Sequence, residues 1–148
     1  MTGLMVCIAV LVAASAFGVW HQRRNGRLTV QKRKNLDDQD DGDGLPRLGA
    51  AEIGAELGER ATLLQFSSAF CQPCRATRRT LAEVAGMVEG VAHVEIDAED
   101  HLDLVRELNV LRTPTVLVLD AAGRIVRRAS GQPRKADVIA ALGAAVRD

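Results

Sequence analysis

The stretch Leu63-Leu64-Gln65-Phe66-Ser67-Ser68-Ala69-Phe70-Cys71-Gln72-Pro73-Cys74-Arg75 decides how this chain is read. Its first half belongs to an apolar run from Ala61 to Ser67, of strand length and fit for a buried strand. Its second half opens a helical pattern that carries Ala76, Leu81, Val84, Ala85 and Val88. The two cysteines therefore fall at a strand-to-helix junction. A helix N-terminus offers free N–H groups and the positive end of the helix dipole, and both favour the thiolate, the nucleophilic form of cysteine. The C-x-x-C spacing sets Cys71 at or before the first turn and Cys74 one turn inside. The two sulfurs come within bonding reach, the first accessible and the second buried. Pro73 suits a first turn, where its missing N–H costs nothing. Arg75 and Arg78 bring positive charge nearby and should further favour the thiolate.

Working outward, a helical pattern precedes the strand through Leu48, Ala51, Ile53, Ala55 and Leu57, with Gly58 as its stop signal. After the cysteine helix, Val91 to Asp97 alternates as a strand does, and residues 100–108 read as helical. Thr115 to Leu119 is β-branched and apolar, residues 121–124 turn around Gly123, and Arg124 to Ala129 forms the next strand. An amphipathic helix from Lys135 to Val146 follows, with Val138, Ile139, Leu142 and Val146 on its apolar face. Alternating strands and helices predict a parallel portion, and the tight turn at Gly123 predicts an antiparallel hairpin. The expected fold class is α/β, a three-layer architecture with a mixed central sheet and helices on both faces.

Leu4 to Trp20 carries no charge and is built of aliphatic, small and aromatic residues. About 17–25 helical residues cross a hydrocarbon core, so this run is at the short end of a spanning length. Trp20 falls where an interfacial aromatic belongs, and His21, Arg23, Arg24, Arg27, Lys32, Arg33 and Lys34 follow it. A transmembrane anchor over residues 1–20 is the expectation. The positive flank marks the cytoplasmic side, which places the rest of the chain in the cytoplasm as a single-pass protein of the cell membrane. The rival is a cleavable signal peptide, for which Ala14-Ser15-Ala16 fits the cleavage pattern, although no Lys or Arg precedes the apolar run. Cys7 lies within that run and reads as a small packing or lipid-facing residue.

Residues 21–47 are polar, first basic and then acidic through Asp37, Asp38, Asp40, Asp41 and Asp43, which predicts a charged flexible linker. The acidic half fails as a calcium loop: counted from Asp37, Gln39 occupies the third place and Leu48 the twelfth, where an oxygen ligand and a glutamate are needed. The remaining residues, 48–148, form the expected globular domain.

The totals exclude several functions. Among 148 residues, 19 basic and 19 acidic side chains balance, so no global field draws nucleic acid. Aromatics make up only 3%, with no Tyr, leaving little for stacking against bases. A structural zinc needs four ligands, yet there is one cysteine pair, and His93 and His101 lack the spacing of a histidine pair. No metal site is expected, and His101 reads as a surface residue.

The domain resembles thioredoxin. Cys71-Gln72-Pro73-Cys74 is similar to that family's active site, Thr113-Pro114-Thr115 before the strand Val116 to Leu119 to its cis-proline segment, Gly123 to its last turn, and Gly131 to the glycine before its final helix. The resemblance covers residues 48–148 and implies roles. Cys71 would attack a substrate disulfide and Cys74 would resolve the mixed disulfide. Thr113 and Pro114, with a cis peptide bond between them, would lie beside the cysteines and hold the substrate chain. Phe70 stands where the family usually has a tryptophan and joins that substrate surface. The family's buried acid aligns with Gln65, which takes no proton, and its partner lysine aligns with His93. With an ordinary pKa near 6.5, His93 is then a candidate proton acceptor.

The expectation is a thiol-disulfide oxidoreductase that reduces protein disulfides. It would need no bound cofactor, be recharged by an external donor such as a reductase, bind no nucleic acid, and act as a membrane-anchored monomer. One alternative is an outward-facing exchange protein in oxidative folding or cytochrome maturation. Another is a non-catalytic thioredoxin-like interaction module.

Overall fold

The computed structural model describes residues 2–24, 29–30 and 47–147. Helix α1 (Thr2–Arg24) is followed by the short strand β1 (Thr29–Val30). Then come α2 (Ala50–Ile53), β2 (Ala61–Ser67), α3 (Gln72–Met87), β3 (Val91–Asp97), α4 (Leu102–Glu107), β4 (Thr115–Asp120), β5 (Ile125–Ser130) and α5 (Lys135–Ala145). The strands form one mixed sheet in the order β1-β5-β4-β2-β3. Central β2 runs parallel to β3 and antiparallel to β4, and β4 and β5 make the antiparallel hairpin expected around Gly123.

All seven residues of β2 are buried, which explains why it reads as a continuous apolar run rather than an alternating one. Successive side chains point to opposite faces and feed two cores. Leu64 and Phe66 join Leu48, Ile53, Leu104, Leu108, Leu117 and Leu119 on the face covered by α2 and α4. Ala61 and Leu63 join Leu81, Val84, Val116, Val118, Val138 and Leu142 on the face covered by α3 and α5. The result is the three-layer α/β fold anticipated from the pattern.

Two details differ from the expectation. The helix expected to run to Leu57 and stop at Gly58 ends at Ile53, because Gly54 takes a left-handed conformation (φ 69°) and returns its N–H to Ala50 O at 2.9 Å. Gly58 serves packing instead, since a Cβ there would collide with the backbone of Ala61, Gly90 and Ala92. Gly123 combines both demands: its φ is 77°, and a Cβ would run into the Leu48 carbonyl, whose own N–H donates to Gly123 O at 3.0 Å.

Among the described residues, α1 is the helix long and apolar enough to cross a membrane, with a mean hydropathy of 2.3 over Gly3–Trp20 and none of that window buried. This one apolar N-terminal helix has the character of a membrane anchor or of a signal sequence. Of the expected linker, α1 extends through Arg24, and Thr29 and Val30 pair antiparallel with Arg128 and Arg127 of β5. Residues 25–28 and 31–46 of that linker lie outside the described residues.

Candidate active site

The cysteines mark the start of α3. Cys71 is the N-cap, with extended backbone, and its sulfur accepts the N–H of Cys74 at 3.1 Å. A side-chain acceptor here satisfies one of the N–H groups that every helix start leaves open. Pro73 falls in the first turn, as its chemistry favours. Cys71 and Cys74 are joined by a disulfide, with Cα atoms 5.2 Å apart. Cys74 is 2% exposed, while Cys71 is half-buried at the surface. The geometry provides one accessible sulfur and one enclosed sulfur that close a bond with each other.

The loop between α4 and β4 meets this junction from the side. The Thr113–Pro114 peptide bond is cis. Thr113 Oγ1 lies 3.0 Å from Ser68 Oγ, and the Cys71 N–H donates to Ser68 O at 3.3 Å. Ser68 thus links the proline loop to the first cysteine. From the other side the Gly131 N–H donates to Pro114 O at 2.7 Å, fixing the loop to the residue after β5. Phe70 is 97% exposed, and Leu111, in the loop before Thr113, is also exposed. Phe70 directly precedes Cys71, and Leu111 precedes the cis-proline segment by two residues.

Beneath Cys74, on the sheet face covered by α3, is a polar network. Gln65 is fully buried, and its Nε2 donates to Cys74 O and to Ser67 Oγ, both at 2.9 Å. Ser67 in turn donates to Glu95 Oε1 at 2.6 Å. Glu95 takes Arg78 through two contacts, Nε to Oε2 at 2.6 Å and Nη2 to Oε1 at 3.1 Å. The parallel register explains the assembly, because Gln65 is paired with Glu95 and Leu63 with His93. The Cys74 carbonyl only accepts, so it fixes the orientation of the Gln65 amide and turns Oε1 toward His93 Nε2, 3.4 Å away. A hydrogen bond at that long separation requires the proton on Nε2. Burial lowers the His93 pKa below its ordinary value, with Glu95 raising it and Arg78 lowering it to lesser degrees.

The sequence-derived residues thus fall into two groups. Cys71 and Cys74 are joined directly, with Phe70 next to Cys71 in the chain, and the Thr113–Pro114 loop is tied to Cys71 through Ser68. His93 is joined to Cys74 only through Gln65. Arg78, expected to favour a thiolate, has its charge committed to Glu95, while Arg75 lies exposed. Ser67, Ser68 and Glu95 were not anticipated. The alternation in Val91–Asp97 already sets His93 and Glu95 on one face, but nothing in the sequence places that face against Ser67. Among the described residues, no group of three or more His, Cys, Asp or Glu side chains is placed to hold a metal ion.

A disulfide-forming C-x-x-C pair at the start of a helix, beside a cis-proline loop and on a mixed three-layer sheet, defines a redox-type protein of the thioredoxin fold. The chain belongs to the thioredoxin family: the Thioredoxin family model matches residues 51–144. Human thioredoxin domain-containing protein 2 is 35% identical over 60 residues, covering 40% of this chain and 11% of that protein. The chain therefore matches about a tenth of that relative's length. Thioredoxin of Mycoplasma genitalium is 26% identical over 81 residues, covering 55% of this chain and 78% of that one. The structure of chloroplastic thioredoxin z superposes with a TM-score of 0.56 at 21% identity, covering 74% of this chain and 100% of that one. Thioredoxin from Trypanosoma brucei brucei gives a TM-score of 0.53 at 21% identity, covering 62% and 79% respectively. Both likenesses concern the fold.

Proposed function

We propose that this protein is a thiol-disulfide oxidoreductase that reduces disulfides in other proteins, held at the membrane by α1 with its thioredoxin domain in the cytoplasm. The observation that carries this reading is the pairing of accessible Cys71 with enclosed Cys74 at the N-terminus of α3, beside Thr113–Pro114. In the reduced protein, the Cys71 thiolate attacks one sulfur of a substrate disulfide. A mixed disulfide forms, and the other substrate sulfur leaves as a thiolate that takes a proton. Cys74 then loses its proton and attacks Cys71 Sγ. The Cys71–Cys74 bond forms, and the first substrate sulfur leaves and is protonated. Two electrons pass from the protein dithiol to the substrate, and an external dithiol donor returns them. Phe70 and the Thr113–Pro114 edge receive the substrate chain. His93 serves as proton acceptor for Cys74, kept neutral by burial. With Nε2 turned to Gln65, Nδ1 is the nitrogen left to accept it.

The chemistry is tested by following reduction of insulin disulfides with dithiothreitol as donor. Cys71→Ser should abolish turnover, and Cys74→Ser should accumulate a mixed disulfide. A wild-type chain that binds insulin without accelerating its reduction would identify a binding module instead. Orientation is tested in intact cells carrying the Cys7→Ser chain, labelled after mild reduction with a membrane-impermeant thiol reagent. Labelling of Cys71 only after permeabilisation supports the cytoplasmic placement. Labelling without permeabilisation shows an outward-facing exchange protein, the orientation suited to oxidative folding or cytochrome maturation.

A further inference from the structure

Thr77 is 0% exposed, and its Oγ1 is the buried side-chain polar atom without a hydrogen-bond partner among the described residues. It belongs to the buried stripe of α3, formed by Cys74, Thr77, Leu81 and Val84. Residues three apart on a helix share a face, and helical side chains lean toward the N-terminus. The Thr77 side chain therefore leans toward the turn that holds Cys74, one rotation about Cα–Cβ from aiming its hydroxyl there. A threonine inside a helix ordinarily returns its hydroxyl to the carbonyl four residues back. Thr80, on the same helix, does so to Ala76 O at 3.2 Å; Thr77 does not.

A buried hydroxyl left unpaired is unfavourable, and it calls for a partner that another state of the protein supplies. Sulfur in a disulfide is a weak acceptor, whereas a thiolate accepts strongly. The other polar side chains close to Cys74 have their hydrogens committed: both of the Gln65 amide go to Cys74 O and Ser67, and that of Ser67 goes to Glu95. Leu81 and Val84, next along the stripe, have none to give. The buried donor with an unspent hydrogen beside the resolving cysteine is Thr77.

We propose that the Thr77 hydroxyl is a positioning residue for the resolving step, donating a hydrogen bond to Cys74 Sγ once the disulfide is open. This rests on the thiol-disulfide exchange proposed above and adds a group to it. When Cys74 gives up its proton and attacks Cys71 Sγ, Thr77 transfers no proton; it lowers the energy of the thiolate and holds it in the apolar interior. In the oxidised protein the hydroxyl returns to its unpaired state. The hydroxyl therefore favours the Cys74 thiolate over both the thiol and the disulfide, and it shifts the pair toward the reduced form where that thiolate is populated.

The test is the equilibrium of the Cys71–Cys74 pair with glutathione buffers at a pH about one unit above the ordinary thiol pKa of about 8.5, where the reduced pair carries the Cys74 thiolate, measured by thiol alkylation on the Cys7→Ser chain in detergent micelles. Thr77→Val removes the hydroxyl and nearly keeps the shape. It should favour the disulfide by about tenfold in the equilibrium constant, equivalent to about 30 mV. Thr77→Ser keeps the hydroxyl and should stay at the wild-type value. Thr77→Ala makes the same comparison if Thr77→Val does not fold. An unchanged equilibrium in the variants lacking the hydroxyl overturns the proposal. So does an equal shift in Thr77→Ser, which would assign the effect to packing. The equilibrium is read without any protein substrate, so a wild-type chain inactive on insulin would sink the reductase reading and leave this measurement standing.

Discussion

Arg78 and Glu95 grip each other through two contacts, 2.6 and 3.1 Å long, one helical turn beyond Cys74. A two-pronged arginine–carboxylate pair fixes both groups and cancels their charges locally. The charge of Arg78 is thereby balanced, so the positive field at the start of α3 is left to the helix itself and to exposed Arg75, the residue after Cys74. Glu95→Gln would leave Arg78 uncompensated. We expect alkylation of Cys71 in the reduced protein at pH 6.5 to accelerate roughly two- to fivefold, the scale of one charge near a helix end. A rate equal to wild type or slower would show that the pair does not act on the thiols.

Gln65 joins the central strand to the carbonyl of Cys74 and also faces Ser67 and His93. Gln65→Leu keeps similar bulk but removes that link and leaves buried groups unpaired. A loss of about 1–3 kcal/mol in urea unfolding is expected. Turnover of mixed disulfides should slow while alkylation of Cys71 in the reduced protein stays near wild type, because the link reaches only the second cysteine. Equal slowing of both would refute a selective role.

His93 supplies a pH dependence with a definite sign. Its folded pKa lies below the ordinary 6.5, with burial as the main cause. Between the depressed folded value and 6.5, the unfolded chain binds more protons, so stability rises with pH across that window. Below the window the penalty is present in full. Glu95 and Arg78 are the charged groups that face His93, and they pull in opposite directions. His93→Gln should lose less stability than wild type when the pH falls from 7.5 to 5, measured as the shift in urea midpoint. A wild-type protein that gains stability over that fall relative to the variant would reverse the assignment.

Leu81 is fully buried on the α3 stripe, between Thr77 and Val84 and over the sheet. Leu81→Ala should cost about 2–5 kcal/mol, since the lost methyl groups leave a cavity in a close-packed layer. Thermal unfolding of the oxidised protein measures it. A change under about 1 kcal/mol would mean that the layer collapses around the site, which the rigid sheet beneath makes unfavourable.

The parts of this fold that were legible in the sequence are those set by local chemistry. Alternating and continuous apolar runs fix the strands, Gly123 fixes the hairpin, and the Cys71 to Cys74 spacing announces itself at a strand-to-helix junction. Boundaries that depend on competition between signals were less legible. Gly54 and Gly58 both offer a stop for α2, and only Gly54 takes the left-handed conformation that ends it. The network under Cys74 was hidden for a different reason. Gln65, Arg78 and Glu95 come from three elements, and their meeting depends on the β2–β3 register and on the rotation of α3, which no single stretch of sequence records. Thr77 carries no mark in the sequence beyond its place three residues after Cys74. Its significance lies in a hydrogen bond that is missing.

The pairing of Thr29 and Val30 with β5 shortens the leash on the thioredoxin domain. A tether of residues 21–47 suggests a domain free to roam. Yet Thr29 follows the last residue of α1, Arg24, by only five peptide steps, which span about 18 Å at full stretch. With α1 in a bilayer and that strand in place, the far edge of the sheet is moored close to the headgroups. On the proposed cytoplasmic orientation, Cys71 would be kept within a thin shell beside the bilayer, and nearness to the lipid would select the disulfides it meets.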